Sequence, residues 1–136
     1  AAVPLFDPGT KGAGLWVKDK RRKDLPVTQE LCEVRRASDW FREHIPAGAR
    51  AYLKLNCEGC ECDILDDLLD SGEFEKVAYA MVDFDVRKIA ELRHREAETR
   101  ERLAAYPAPR VMYSRIAMVG DTHRDRIRHW LGLLPA

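Results

Sequence analysis

The chain has 136 residues, of which 46% are apolar and 34% are charged, and its formal net charge at pH 7 is zero. This length and composition predict one globular domain and exclude an intrinsically disordered chain. A balanced charge argues against nucleic-acid binding, and no apolar run reaches the roughly 20 residues of a membrane span. The N-terminus carries no signal-peptide pattern, so we expect a cytoplasmic protein without nucleic-acid or membrane partners.

The N-terminal part of the chain predicts short strands. Residues 1–17 predict a hairpin, because apolar residues flank the turn sequence Asp7-Pro8-Gly9-Thr10. Residues 18–28 are polar and predict a solvated loop. The remaining residues, 29–136, form the predicted core of a single domain, which opens with a short alternating strand from Glu30 to Arg36.

Strands alternate with helices through the middle of the chain. Ser38 is expected to cap a short helix, which precedes a strand at 51–56. Residues 60–70 place their leucines on one stripe of a helix and their aspartates on the other side. The nearly continuous apolar run within 76–84 predicts a strand that is buried on both faces, as in a parallel sheet.

The C-terminal part predicts a long helix at 86–106 with Glu–Arg pairs at i,i+4, then one or two strands within 111–119. Asp121 or Thr122 is expected to cap a last helix. Its predicted buried face consists of Ile127, Trp130, Leu131 and Leu134. The alternation of strands and helices predicts an α/β fold with a largely parallel sheet.

Three of the four cysteines, Cys57, Cys60 and Cys62, lie close together in the sequence. A tetrahedral zinc site needs two Cys-x2-Cys pairs or histidines at matching spacing, and the chain has neither pattern. We therefore expect these cysteines to pack as small apolar side chains, and we predict no metal site.

Polar residues mark the ends of two predicted strands. Asn56, Glu58 and Glu61 follow the strand at 51–56, where ligands bind in open α/β sheets, and Lys54 shares a face with Asn56. Asp83 ends the buried strand, where acceptor-binding residues often lie. Each has a structural alternative, since carboxylates also stabilise helix N-termini and strands commonly end in polar residues.

The segment Leu53-Lys54-Leu55-Asn56-Cys57-Glu58-Gly59-Cys60-Glu61, followed by Ile64-Leu65, resembles the hallmark of FkbM-type S-adenosylmethionine-dependent methyltransferases. That pattern is apolar, Lys, apolar, Asp, apolar, Glu, Gly, apolar, Glu, then a Leu-rich helix. Residues 34–41 look like the family's upstream strand ending in Thr-Leu-Asp, and residues 1–17 look like its Ala-rich strand and hairpin. The resemblance covers roughly the first 85 residues.

The resemblance implies a three-layer, Rossmann-like methyltransferase sheet that transfers a methyl group to a hydroxyl of a small molecule or glycan. It implies catalytic roles for Asn56 and Glu58 and cofactor contacts for Asp39 and Asn56. Lys54 and Glu61, as charged members of the motif, and Asp83, at the end of the buried strand, are the candidate substrate-binding residues. Asn56 departs from the family's Asp, because an amide can hydrogen-bond a ligand but cannot act as a base.

The family's Gly-rich cofactor loop has no good match. The sequence Asp7-Pro8-Gly9-Thr10-Lys11-Gly12 lies too close to Lys54 for the intervening strands and helices. The first methionine is Met81, so we expect the chain to be the C-terminal part of the fold, lacking the main cofactor-binding half. The alternative is a non-catalytic methyltransferase-like interaction module. An exposed strand edge beside residues 51–56, left where the missing half should pair, predicts self-association as a homo-oligomer or poor solubility.

Overall fold

A computed structural model of the chain describes residues 1–9, 13–16 and 26–136. Within these residues the strands are β1 (Ala2–Phe6), β2 (Gln29–Glu33), β3 (Ala51–Leu55), β4 (Val77–Val82) and β5 (Val111–Tyr113). The α-helices are α1 (Ala37–His44), α2 (Glu61–Ser71), α3 (Arg95–Leu103), α4 (Ser114–Ala117) and α5 (His123–Gly132). Short 3-10 helices span Glu73–Lys76 and Asp85–Lys88. Val17 and most of the predicted loop at 18–28 lie outside the described residues.

Strands β3, β4 and β5 form a three-stranded parallel sheet in that order. Side chains of α1, α2 and α3 pack on one face, and side chains of α4 and α5 pack on the other. The predicted α/β class is therefore confirmed as a parallel sheet flanked by helices. Within the described part of the chain β3 is an edge strand, and its Tyr52 is 56% exposed.

The central strand β4 is buried on both faces, as its apolar sequence predicts. Val77, Ala80 and Val82 face the cluster under α1, α2 and α3, whereas Tyr79 and Met81 face α4 and α5. All five side chains are at most 8% exposed. Fully burying a side chain of this size contributes about 1.5–3 kcal/mol, so β4 anchors both layers of the domain.

The N-terminal strands pair differently from the prediction. β1 is antiparallel to β2 over its whole length, and among the described residues Phe6 also forms an antiparallel bridge with Gly14. Asp7 and Gly9 both have positive φ, which turns the chain, and Leu15 and Trp16 are bends rather than strand residues. The predicted hairpin at 1–17 lies partly outside the described residues, and the longest pairing of β1 within them is with β2.

Helix α3 is shorter than the predicted helix at 86–106. The chain instead forms the 3-10 helix, passes through Ile89 in an extended conformation, and begins α3 at Arg95. Ile89 is 1% exposed and lies against Gly59, where a Cβ would come within 2.5 Å of its Cδ1 atom. Burial of Ile89 beside the β3–α2 loop thus breaks the helical pattern that the sequence predicts.

Arginines of α3 bind the acidic side of α2. Arg95 pairs with Asp63 and, at 2.9 Å, with Asp66. Arg102 contacts Asp66 at 2.7 Å and Asp70 at 2.5 Å. These two arginines bridge two helices rather than pairing with glutamates of their own helix, so α3 docks more firmly than its few apolar residues predict.

The sequence after β5 turns helical instead of continuing as a strand. β5 ends at Tyr113, and the next four residues form α4. The predicted strand region at 111–119 is therefore only three residues long. This early turn places Ser114 directly at the carboxyl end of the sheet.

Helix α5 begins as predicted, because Thr122 and Asp125 form a reciprocal capping box. Trp130 is 4% exposed and packs against the sheet, and Leu134 is partly buried beside it. Leu131 is 44% exposed, so its predicted place on the buried face is wrong. Among the described residues, no helix combines the length and apolar character needed to cross a bilayer.

The N-terminus of α1 is capped by a residue from another helix. Arg36 holds the N-cap position without a side-chain cap, so the predicted capping by Ser38 is wrong. The backbone N–H of Ser38 donates to Asp67 Oδ2 at 2.7 Å, and Arg36 Nε donates to Asp67 Oδ1 at 2.9 Å. Burial raises the pKa of Asp67, but hydrogen bonds from Ser38 and Arg36 lower it by a larger amount. The resulting pKa of Asp67 lies below its usual value.

Substitution Asp67→Ala is expected to lower the free energy of unfolding by about 1–2 kcal/mol at neutral pH, because α1 loses its cap. The depressed pKa means that this contribution is present above the ordinary Asp pKa of 3.8 and is lost as the pH falls through the folded-state value. Urea unfolding at several pH values measures it. Asp121→Ala, at an exposed position, is the control, and equal effects of the two substitutions would contradict the capping role.

Candidate functional site

The three parallel strands end level with one another. Leu55 is paired with Val82, and Val82 with Tyr113, so the residues that follow each strand lie side by side. There the sheet opens into a cleft of about 410 Å³. Its lining comes from all three strand ends and from α5: Lys54, Asn56, Met81, Asp83, Arg87, Ser114, Arg115, Met118, His123 and Arg126.

Glu61 lies beneath this edge rather than in the cleft. Its side chain is 0% exposed. Oε1 accepts the backbone N–H of Cys57 at 2.7 Å and of Gly59 at 3.3 Å, and Oε2 accepts that of Asp85 at 3.2 Å. Burial raises the pKa of Glu61, and the hydrogen bonds from the N–H groups of Cys57 and Gly59 offset part of the increase. The predicted substrate contact is corrected to a structural role, because no part of the carboxylate reaches solvent.

Asn56 is held by Asp85, which in turn pairs with Lys88. Its Nδ2 donates to Asp85 Oδ2 at 2.8 Å, and Lys88 Nζ lies 2.7 Å from Asp85 Oδ1. Burial lowers the pKa of Lys88, but the hydrogen bond and charge of Asp85 raise it by a larger amount. The resulting pKa of Lys88 is above its usual value. An aspartate at position 56 would face the carboxylate of Asp85, so the amide is the side chain that fits here.

Asp83 and Lys54 both line the cleft, as predicted for substrate-binding residues. Asp83 Oδ1 accepts the hydroxyl of Ser114 at 2.9 Å and lies 3.7 Å from Arg87, and its side chain is 39% exposed. Lys54 is half-buried, and in the part of the chain that the structure describes it has no hydrogen-bond or ion-pair partner. The cleft therefore presents two charged groups to a ligand. One is the Asp83 carboxylate, whose Oδ1 is bound by Ser114, and the other is the Lys54 ammonium group.

Glu58 belongs to the loop between β3 and α2 and is not among the residues that line the cleft. Its backbone adopts φ of 56°, which is uncommon for a residue other than glycine. A Cβ at Gly14 would approach the Glu58 carbonyl oxygen at 3.1 Å, and Lys88 Nζ lies 3.9 Å from the carboxylate. The structure thus separates Glu58 from the cleft-lining residues that its predicted catalytic role requires.

Asp39 does not join the strand ends either. It lies on the exposed side of α1 and pairs with Arg42 at 3.0 Å. The resemblance places this residue at the end of a strand, but β2 already ends at Glu33 and α1 begins at Ala37. Its predicted cofactor contact is therefore not supported by its position.

The clustered cysteines are free thiols. Burial raises the pKa of Cys57 and Cys62, and it raises the pKa of Cys60 to about 11. In residues 1–9, 13–16 and 26–136, no group of three or more His, Cys, Asp or Glu residues is arranged to hold a metal ion.

Several cleft residues escape the sequence analysis: Arg87, Ser114, Arg115, His123 and Arg126. Residues 114 and 115 are hidden because the apolar pattern through Val119 favours a continuing strand. The sequence feature that could have indicated the end of the strand is the polar pair Ser114-Arg115, which directly follows the apolar residues of β5. His123 and Arg126 reach the cleft because α5 packs against the distant sheet through Trp130. A local sequence pattern does not predict such a contact.

Substitution Glu61→Ala is expected to lower the free energy of unfolding by about 3 kcal/mol, because three backbone N–H groups lose their acceptor. Glu61→Gln should cost less, since its amide oxygen still accepts from Cys57 and Gly59. Urea unfolding measures the loss, and amide hydrogen exchange at Cys57, Gly59 and Asp85 should accelerate. Glu101→Ala, on the exposed side of α3, is the control, and a similar loss there would rule out the structural role of Glu61.

No protein-family model matches the chain. Comparison with curated proteins and with solved structures likewise finds no significant match.

Proposed function

We propose that the cleft is the acceptor-binding site of an S-adenosylmethionine-dependent methyltransferase with a Rossmann-like sheet. The acceptor is a hydroxyl of a small molecule or glycan. The observation that carries this proposal is the level ending of three parallel strands, which brings Asn56, Asp83 and Ser114 together at the edge where open α/β sheets bind ligands. The motif around Lys54 and Asn56 supplies the reaction class.

The described residues fit the acceptor better than the cofactor. Of the residues expected to contact S-adenosylmethionine, Asn56 lines the cleft, where its carbonyl oxygen is suited to accept a hydrogen bond. The cationic side chains around it oppose a sulfonium charge, and the carboxylate of Asp85 is already bound to Asn56 and Lys88. The described residues therefore do not form a complete cofactor site.

Asp83 is the residue best placed to act on an acceptor hydroxyl. Ser114 fixes one of its carboxylate oxygens, and the side chain remains partly open to the cleft. A carboxylate in this position accepts a hydrogen bond from the hydroxyl and takes its proton as the hydroxyl becomes a nucleophile. Lys54 and Asn56 lie beside it and orient the bound molecule. In this proposal Asp83 takes the role that the sequence motif predicts for Glu58.

A non-catalytic interaction module is the second candidate. The pairing of Asn56 with Asp85 favours it, because both side chains are engaged within the protein. Such a module retains the sheet and the cleft but binds no cofactor.

Titration calorimetry with S-adenosylmethionine separates the two candidates. Micromolar binding of the cofactor would favour the methyltransferase, and Asn56→Ala should then weaken that binding about tenfold by removing a hydrogen bond. Asp39→Ala, on the exposed side of α1, should leave the affinity unchanged. No heat of binding from the wild-type chain would favour the interaction module.

Methyl transfer itself tests Asp83. Asp83→Asn should lower kcat by about 10²-fold, because the amide cannot accept the hydroxyl proton, while cofactor affinity stays the same. Turnover is measured as transfer of a labelled methyl group to candidate hydroxyl compounds. Asp121→Asn is the matched control, and unchanged kcat in Asp83→Asn would exclude Asp83 as the base.

A further inference from the structure

The cleft carries a local excess of positive charge in a chain whose formal net charge is zero. Four cationic side chains line it, namely Lys54, Arg87, Arg115 and Arg126, and Asp83 is the carboxylate among its lining residues. Asp83 lies 3.7 Å from Arg87, so these two charges largely offset one another. Among the lining residues that the structure describes, the other three cations have no opposing carboxylate.

These three cations are available to a ligand. Within the described residues, neither Lys54 nor Arg115 forms a hydrogen bond or an ion pair. Arg126 Nε donates to the Gly120 carbonyl oxygen at 2.9 Å, a contact that positions the guanidinium without neutralising it. A positioned guanidinium is suited to binding an oxyanion through two parallel N–H groups.

The dimensions of the cleft favour a small molecule. Its volume of about 410 Å³ falls in the range of small-ligand sites. Its lining contains no Phe, Tyr or Trp, whereas single-stranded nucleic acids bind largely by stacking bases on aromatic side chains. A small phosphorylated metabolite fits the charge and the size better than an oligonucleotide does.

We propose that this cleft binds the phosphate group of a phosphorylated small molecule, with Lys54, Arg115 and Arg126 as its ligands. This inference extends the proposed function, because it makes the methyl acceptor a phosphorylated small molecule. Only the statement that the bound molecule is the acceptor rests on the proposed function. Phosphate binding itself needs no cofactor. It can therefore be measured separately from methyl transfer.

Calorimetry with glycerol phosphate in the absence of S-adenosylmethionine tests the proposal. Saturable binding is expected, and glycerol should not bind. Arg115→Gln and Lys54→Gln should each weaken the affinity about tenfold, since each removes a charge-assisted hydrogen bond. Arg128→Gln is the matched control, because Arg128 is exposed on α5 and lies outside the cleft lining. Circular dichroism checks that each variant is folded.

Three results would overturn the proposal. The first is an absence of saturable glycerol phosphate binding, and the second is a loss in Arg128→Gln as large as that in Arg115→Gln, which would indicate diffuse electrostatics. The third is tighter binding of a single-stranded oligonucleotide than of glycerol phosphate. Inorganic phosphate is expected to bind more weakly than glycerol phosphate, and equal affinity would reduce the site to a free-anion site. All of these affinities can still be measured if the protein does not bind S-adenosylmethionine.

Discussion

The buried carboxylate of Glu61 fixes the edge of the sheet on which the cleft is built. Removing a carboxylate from water is costly, and here three backbone N–H groups from two separate loops offset that cost. Because the same carboxylate contacts the loop after β3 and the loop after β4, it sets their separation. That separation brings Asn56 within hydrogen-bonding distance of Asp85.

The positions of the cleft residues follow from this anchored edge. The level pairing of β3, β4 and β5 places one polar residue after each strand, and the early turn into α4 brings Ser114 to Asp83. Helix α5 then folds back over the other face of the sheet through Trp130 and adds Arg126 to the cleft wall. The strand ends thus carry Lys54, Asn56 and Asp83, and the segment after β5 adds the cations Arg115 and Arg126.

Local sequence patterns predict much of the fold. Apolar periodicity locates β3, β4, α2 and α5, because these elements bury continuous apolar faces. It does not predict the break before α3, since Ile89 is buried against a loop that is distant in sequence. Nor does it reveal that Glu61 is buried, because a pattern of apolar residues says nothing about which polar side chain satisfies backbone groups. Cleft membership was predictable for Lys54, Asn56 and Asp83, which directly precede or follow strand ends, but not for residues that long-range packing brings in.

The protonated state of the clustered thiols has a practical consequence. Alkylation and disulfide exchange proceed through the thiolate, and the raised pKa of Cys60 leaves very little thiolate at neutral pH. Three neighbouring cysteines would ordinarily suggest a protein that cross-links in air. Burial of Cys62 and partial burial of Cys57 and Cys60 instead make these three thiols slow to react in the folded domain, so rapid labelling of them would report local unfolding.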